Sequence, residues 1–182
     1  MIFTPLPLTG AFAIDMQPHH DARGSFARSF CADTFAAQGL CSQFVQMNTS
    51  YNRHAGTLRG LHFQRAPATE IKMVRCLRGA VFDVIVDLRA GSASYGHWTA
   101  LELSQDNRRM IYIPRGFAHG FQSLLPDTEL LYWHDTAYAP GFEAGLLHSD
   151  LDLAIVWPLP IDEISPRDAD LPRLIQLEPI FP

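Results

Sequence analysis

Along most of this chain apolar and polar positions alternate in short runs. That is the period of two that sends successive side chains to opposite faces of a β-strand. The alternation predicts strands over Ser25–Phe30, Gln43–Tyr51, Leu58–Gln64, Lys72–Leu77, Ala80–Leu88, Trp98–Leu103, Met110–Ile113, Ala118–Leu125 and Thr128–His134. Between them lie turn formers: Gly79, Gly91, Gly96, Asn107, Pro114-Arg115-Gly116 and Pro126-Asp127. Only Ala32–Gln38, stopped by Gly39, reads as a helix in the first two-thirds. From Asp150 onward the chain is punctuated by proline, with short helical turns around Pro166–Gln176. Many short strands joined by frequent turns predict an all-β, antiparallel sandwich or barrel.

Two of these strands carry polar residues where a dry core would want aliphatics. In Gln43–Tyr51 one face holds Phe44, Gln46, Asn48 and Ser50, and the other holds Val45 and Met47, so the first face suits a lined cavity. In Leu58–Gln64 alternation puts Gly60, His62 and Gln64 on one side and Leu61 and Phe63 on the other. Strict alternation also turns Arg59 away from His62. A histidine facing a pocket is suited to proton transfer near neutral pH.

Composition narrows the setting. A chain of 182 residues fits a single domain spanning 1–182. Hydrophobic residues make up 47% and charged ones 18%, which argues against disorder. A net charge of −5 offers no electrostatic footprint for nucleic acid or an anionic membrane. Anion binding must therefore come from a few placed arginines and lysines. Three cysteines without metal-like spacing suit a reducing compartment. Met1–Ile14 lacks the basic and apolar regions of a signal peptide, and no apolar run reaches membrane-spanning length, so a cytoplasmic location is expected.

Pro114-Arg115-Gly116-Phe117-Ala118-His119 resembles the second cupin motif, Pro-x-Gly-x-x-His, and points to a cupin-type antiparallel jelly-roll barrel with a few short helices. The first cupin motif would bring His-x-His and a glutamate. Here His62-Phe63-Gln64 and Lys72 occupy those places. A cationic lysine repels a divalent ion, and two histidines are a poor site. No metal and no cofactor are expected, and the lysine suits an oxyanion instead.

A longer series runs through the chain. Asp21-x-Arg23-Gly24, Gln46-x-Asn48, Leu58-Arg59-Gly60-Leu61-His62-Phe63-Gln64 and Lys72-x-Val74-Arg75 are followed by Phe82-Asp83-Val84-x-Val86-Asp87-Leu88-Arg89. Then come Pro114-x-Gly116-Phe117-Ala118-His119-Gly120-Phe121, Glu129-x-x-Tyr132, Ile155-x-Trp157-Pro158 and Ser165-x-x-Asp168. The series resembles the dTDP-4-dehydrorhamnose 3,5-epimerase (RmlC) family over roughly residues 3–172. The resemblance implies a homodimer and a nucleotide-linked 4-keto-6-deoxyhexose substrate. It also implies His62 as base with Asp168 as its carboxylate. A 4-ketone acidifies the protons at C3 and C5, Lys72 suits the enolate oxygen, and Tyr132 is the candidate acid on the opposite face. His119 helps to define the pocket. Arg23 and Arg59 suit a diphosphate, with Gln46 and Asn48 completing the lining. By the same resemblance Phe26 and Tyr138 pack on the nucleobase, Phe26 reaching across from a partner subunit.

Taken singly, each of these residues has a plainer reading: Lys72 as a solvated lysine, Tyr132 as a strand tyrosine, Asp168 as a cap carboxylate, Arg23 and Arg59 as surface ion pairs. Their joint order carries the assignment. His19, His20, His54, His97, His134 and His148 read as solvated or structural, and Asp83, Asp87 and Arg89 as structural. One departure bears on the nucleotide: Arg28 stands where the family usually has Glu. Residue types do not distinguish one inversion from two. The competing readings are a metal-dependent cupin oxygenase or isomerase using His62 and His119, and a non-catalytic sugar-nucleotide binding module.

Overall fold

The computed structural model describes residues 1–180, and the last two positions of the domain expected over 1–182 lie outside the described residues. The chain opens with β1 (Ile2–Pro5), β2 (Phe12–Asp15), β3 (His19–Asp21) and β4 (Gly24–Phe26), then helix α1 (Ala32–Ala37). There follow β5 (Gln46–Asn52), β6 (Thr57–Gln64), β7 (Lys72–Arg78) and β8 (Ala80–Asp87). Next come β9 (Trp98–Ser104), β10 (Met110–Ile113), β11 (Phe117–Ser123) and β12 (Thr128–His134). The tail holds β13 (Glu143–Gly145), β14 (Glu163–Ile164) and helix α2 (Pro166–Ala169).

Two sheets face each other. One has the order β1-β2-β10-β7-β12-β5, the other β13-β6-β11-β8-β9, with β14 laid alongside β6. The pairings are antiparallel except that of β14 with β6, giving the antiparallel β-architecture that the strand pattern predicts and the jelly roll that the cupin-motif resemblance implies. β3 and β4 form a separate hairpin, exposed throughout. The strand expected over Ser25–Phe30 therefore ends at Phe26. Beyond it Phe30 leaves the ladder and packs its ring 4.9 Å from Phe35 of α1 and 5.4 Å from Phe44. Aromatic burial outcompetes strand pairing there.

Alternation decides what fills the barrel. Inward positions Val74, Cys76, Val81, Ile85, Ile111 and Leu130 are fully buried and seal one end. Truncating such a side chain, Leu130→Ala for example, costs about 2–5 kcal/mol. Outward positions Leu61, Phe63, Val84 and Val86 are covered by the tail through Leu146, Leu153 and Ile180. The outer face of the other sheet, with Met73, Met110 and Trp133, is covered by Phe35. On the same inward faces the aliphatics give way to Lys72 on β7 and Tyr132 on β12, while Asp83 on β8 and His119 on β11 are set between apolar neighbours. The barrel is thus dry at one end and polar at the other.

Candidate active site

The polar end opens into a cavity of about 580 Å³ walled by β5, β6, β7, β11, β12 and the segment Glu163–Asp168. Asn48, Arg59, His62, Lys72, His119, Tyr132 and Asp168 all line it. A contiguous recess of about 150 Å³ shares Asn48, His62 and Lys72 and adds Gln46 and Tyr138. Nine of the eleven site residues expected from sequence therefore gather around one opening. Arg23 and Phe26 line neither space. Both sit on the β3–β4 hairpin, Arg23 paired with Asp21 at 2.6 Å and Phe26 76% exposed.

His62 reaches the cavity from the middle of β6. Its Nε2–H donates to Asp168 Oδ1 at 2.7 Å, which leaves Nδ1 with a free lone pair. Asp168 sits in α2, where Ser165 caps the helix by accepting the Asp168 backbone N–H at 3.0 Å. The second carboxylate oxygen accepts the Gly60 N–H at 3.0 Å. Burial pushes the Asp168 carboxyl up, but the donors His62 and Gly60 outweigh it and hold it below its ordinary value. Asp168 is therefore ionised and fixes both the tautomer and the direction of the imidazole.

Arg59 shares the cavity with His62 although alternation separates them. The cause is a bulge: His62 pairs with His119, but Arg59 pairs with Phe121, so β6 spends one residue more than β11. Gly60 takes up the extra residue at φ +118°, pressed so close that a Cβ would lie 2.6 Å from the Gly120 Cα. Only glycine fits. Arg59 Nε then donates to Asn52 Oδ1 at 2.7 Å, aiming the guanidinium along the cavity mouth.

Lys72 is nearly buried, and its Nζ lies 3.0 Å from Glu70 Oε1 and 3.5 Å from the His62 carbonyl. Tyr132 Oη lies 3.3 Å from Ser50 Oγ, and burial raises its phenol well above the usual range. The proton on Tyr132 is thus held at any physiological pH. His119 gives Nε2 to Asp83 at 2.9 Å in a pair with almost no solvent contact. Asp83 was expected to be structural, and it is wholly buried behind His119.

Sequence reasoning passed over Glu70, and His134, expected to be solvated or structural, is held in the wall: it lines both cavities and donates Nδ1–H to Glu70 Oε2 at 2.7 Å. A signal existed. His134 lies two residues from Tyr132 on β12, the spacing that shares a strand face, whereas Glu70 precedes β7. Among the described residues no group of three or more His, Cys, Asp or Glu side chains is arranged to hold a metal ion, and no helix is long and apolar enough to cross a membrane.

Comparison with known proteins places this cavity in a lineage. The family described as dTDP-4-dehydrorhamnose 3,5-epimerase matches residues 5–176. The dTDP-4-dehydrorhamnose 3,5-epimerase of Escherichia coli K12 is 43% identical over 159 residues, covering 86% of this chain and 85% of that protein. A dTDP-4-dehydrorhamnose 3-epimerase from Streptomyces niveus is 39% identical over 171 residues, covering 93% of this chain and 82% of that protein. The crystal structure of the dTDP-4-dehydrorhamnose 3,5-epimerase of Bacillus anthracis, with TDP and PPi bound, has a TM-score of 0.92 at 38% identity and covers 94% of this chain and 98% of that chain. The fold and these relatives define the protein as a cupin-fold carbohydrate epimerase, an isomerase. The chain belongs to the dTDP-4-dehydrorhamnose 3,5-epimerase family.

Proposed function

We propose that this protein inverts C3, C5 or both in a nucleotide-linked 4-keto-6-deoxyhexose of the dTDP-4-dehydro-6-deoxyglucose type. The observation that carries the reading is one cavity wall in which His62, seated on Asp168, faces the same space as Lys72 and Tyr132. Neutral His62 takes the proton next to the ketone through its free nitrogen. The electron pair moves onto the carbonyl oxygen, where the Lys72 ammonium stabilises it. Tyr132 returns a proton from the other face and completes the inversion. Arg59 holds the diphosphate, with Gln46 and Asn48 in the adjoining wall and His119 bounding the sugar end. The TDP named in the Bacillus anthracis structure and the dTDP-4-keto-L-rhamnose named in a Legionella pneumophila structure support a thymidine nucleotide. Arg28, where the family usually carries Glu, is the residue that would alter base preference.

We read the chain as a single domain working in the cytoplasm as a homodimer. β5 is an edge strand whose Met47 and Tyr51, with Val45 just before it, are each at least half exposed, an apolar stripe on an unpaired edge. In such a dimer Arg23 and Phe26, on a hairpin that stands off the parent barrel, serve the partner's nucleotide.

The test is incubation in deuterated water with dTDP-, UDP- and GDP-linked 4-keto-6-deoxyhexoses, read by NMR at C3 and C5. Deuterium enters one or both carbons of at least one substrate. Absence of exchange in the whole panel overturns the reading.

A further inference from the structure

Glu70 has no part in the chemistry above, yet it touches the residue on which that chemistry depends. Its carboxylate is shared: Oε1 lies 3.0 Å from Lys72 Nζ, and Oε2 accepts the His134 Nδ1–H at 2.7 Å. The arrangement follows from register, because His134 on β12 sits directly opposite Lys72 on β7. All three side chains are nearly buried, with 9–12% of their surface exposed. Burial pushes the Glu70 carboxyl up, but the His134 hydrogen bond and the Lys72 charge more than offset this, so Glu70 is ionised. On its far side the His134 ring stacks on Tyr132, centroids 6.1 Å apart and planes at 18°.

A carboxylate this close to an ammonium, in a wall with little water, cancels much of the ammonium's field at the cavity. A developing enolate would also meet the negative charge of Glu70 itself. Both effects shrink when the second oxygen is bound to an N–H donor, since the charge of Glu70 is then divided between two partners and its carboxylate is pinned in the wall. We propose that His134 is a positioning residue that occupies Glu70 so that the charge of Lys72 stays available to the substrate. The inference rests on the reading of Lys72 as the enolate-stabilising group. Other charged groups around the recess are His62 and Glu143. Neither bonds to Glu70.

The experiment compares steady-state turnover of the 4-keto sugar nucleotide in Lys72→Met, His134→Ala and the Glu70→Gln/His134→Ala pair. Losing His134 leaves Glu70 wholly to Lys72, and kcat falls about tenfold with KM within about twofold, less than the ~10²–10³ that follows removal of an oxyanion donor outright. Glu70→Gln in the same background removes the cancelling charge and recovers most of that loss. A merely structural histidine would give no such relief, because the second substitution adds damage instead of removing a charge. His134→Leu, which refills the space of the ring, repeats the loss and the relief and separates them from a folding defect, with thermal melting run on every variant. If Lys72→Met leaves turnover and deuterium exchange unchanged, the reading of Lys72 fails and takes the proposal with it. If Lys72→Met is slow but either histidine variant keeps full turnover, or Glu70→Gln brings no recovery, the proposal alone is overturned.

Discussion

Two histidine–carboxylate pairs stand side by side in this barrel, and they differ in almost everything but their chemical formula. His62 and His119 are register partners on β6 and β11, each giving Nε2 to a carboxylate, at 2.7 Å and 2.9 Å. Around Asp168 every oxygen is engaged, by His62 and by the Gly60 N–H, and the His62 imidazole is 32% exposed to the cavity. Asp83 has no solvent-exposed surface, and one of its oxygens has no partner among the described residues. The carboxyls respond in opposite directions: donors hold Asp168 below its ordinary value, while burial raises Asp83 despite the nearby His119. A pair suits the proposed proton transfer when its carboxylate is fully satisfied and its imidazole is open to the cavity. The same pair with its carboxylate wholly buried and its imidazole only 5% exposed at the cavity wall fixes packing instead.

The contrast can be broken by experiment. The largest effect is expected for His62→Ala, which should lower kcat by about 10²–10⁴ with the fold intact. A fall of comparable size in melting temperature would mean that His62 is structural. His119→Ala should act mainly on stability, costing about 3 kcal/mol because it strands Asp83 in the interior. Denaturant unfolding measures this, and a loss below about 1 kcal/mol would erase the distinction from the exposed pair. Ser165→Ala removes the cap of α2 and should cost about 1 kcal/mol of stability, while lowering kcat through a looser Asp168. The smallest effect is one of slope. The carboxyl of Asp168 is lower in the folded state, so its stabilisation is present above the unfolded value near 4 and is lost as pH falls through the folded value. The carboxyl of Asp83 is raised, so its contribution is fully present below about 4 and is lost as pH rises through the folded value. Melting temperatures between pH 3 and 6 should therefore move against Asp168→Asn, and in favour of Asp83→Asn, relative to the parent as pH increases. Parallel slopes would remove the basis of the comparison.

The barrel was legible because its signal is local. Lys72, Val74 and Cys76, or Leu130, Tyr132 and His134, declare a shared face by spacing alone. Three features were hidden for physical reasons. Arg59 and His62 meet in one cavity only because Gly60 absorbs a bulge, and a bulge is a relation between two strands that one strand cannot reveal. Phe30 looked like a strand residue until the rings of Phe35 and Phe44 claimed it, a tertiary override of local pattern. Glu70 went unremarked because it precedes β7, outside any strand period, and nothing in one strand shows that it bonds to His134. Their pairing depends on the β7–β12 register, which spans more than sixty residues of sequence. Asp168 lay in view only through its motif, since the proline-rich tail gives no periodicity to say that it folds back under β6.

That fold-back has a consequence for how the molecule comes into being. The carboxylate that orients His62 arrives late in the chain, anchored by the short parallel contact of β14 with β6 and the cap at Ser165. During synthesis or refolding the cavity, with His62 already in its wall, would be assembled first and would acquire the Asp168 carboxylate last. The recovery of turnover after denaturation is thus a clock for the docking of the tail, and it should lag behind any spectroscopic probe that watches the strands close.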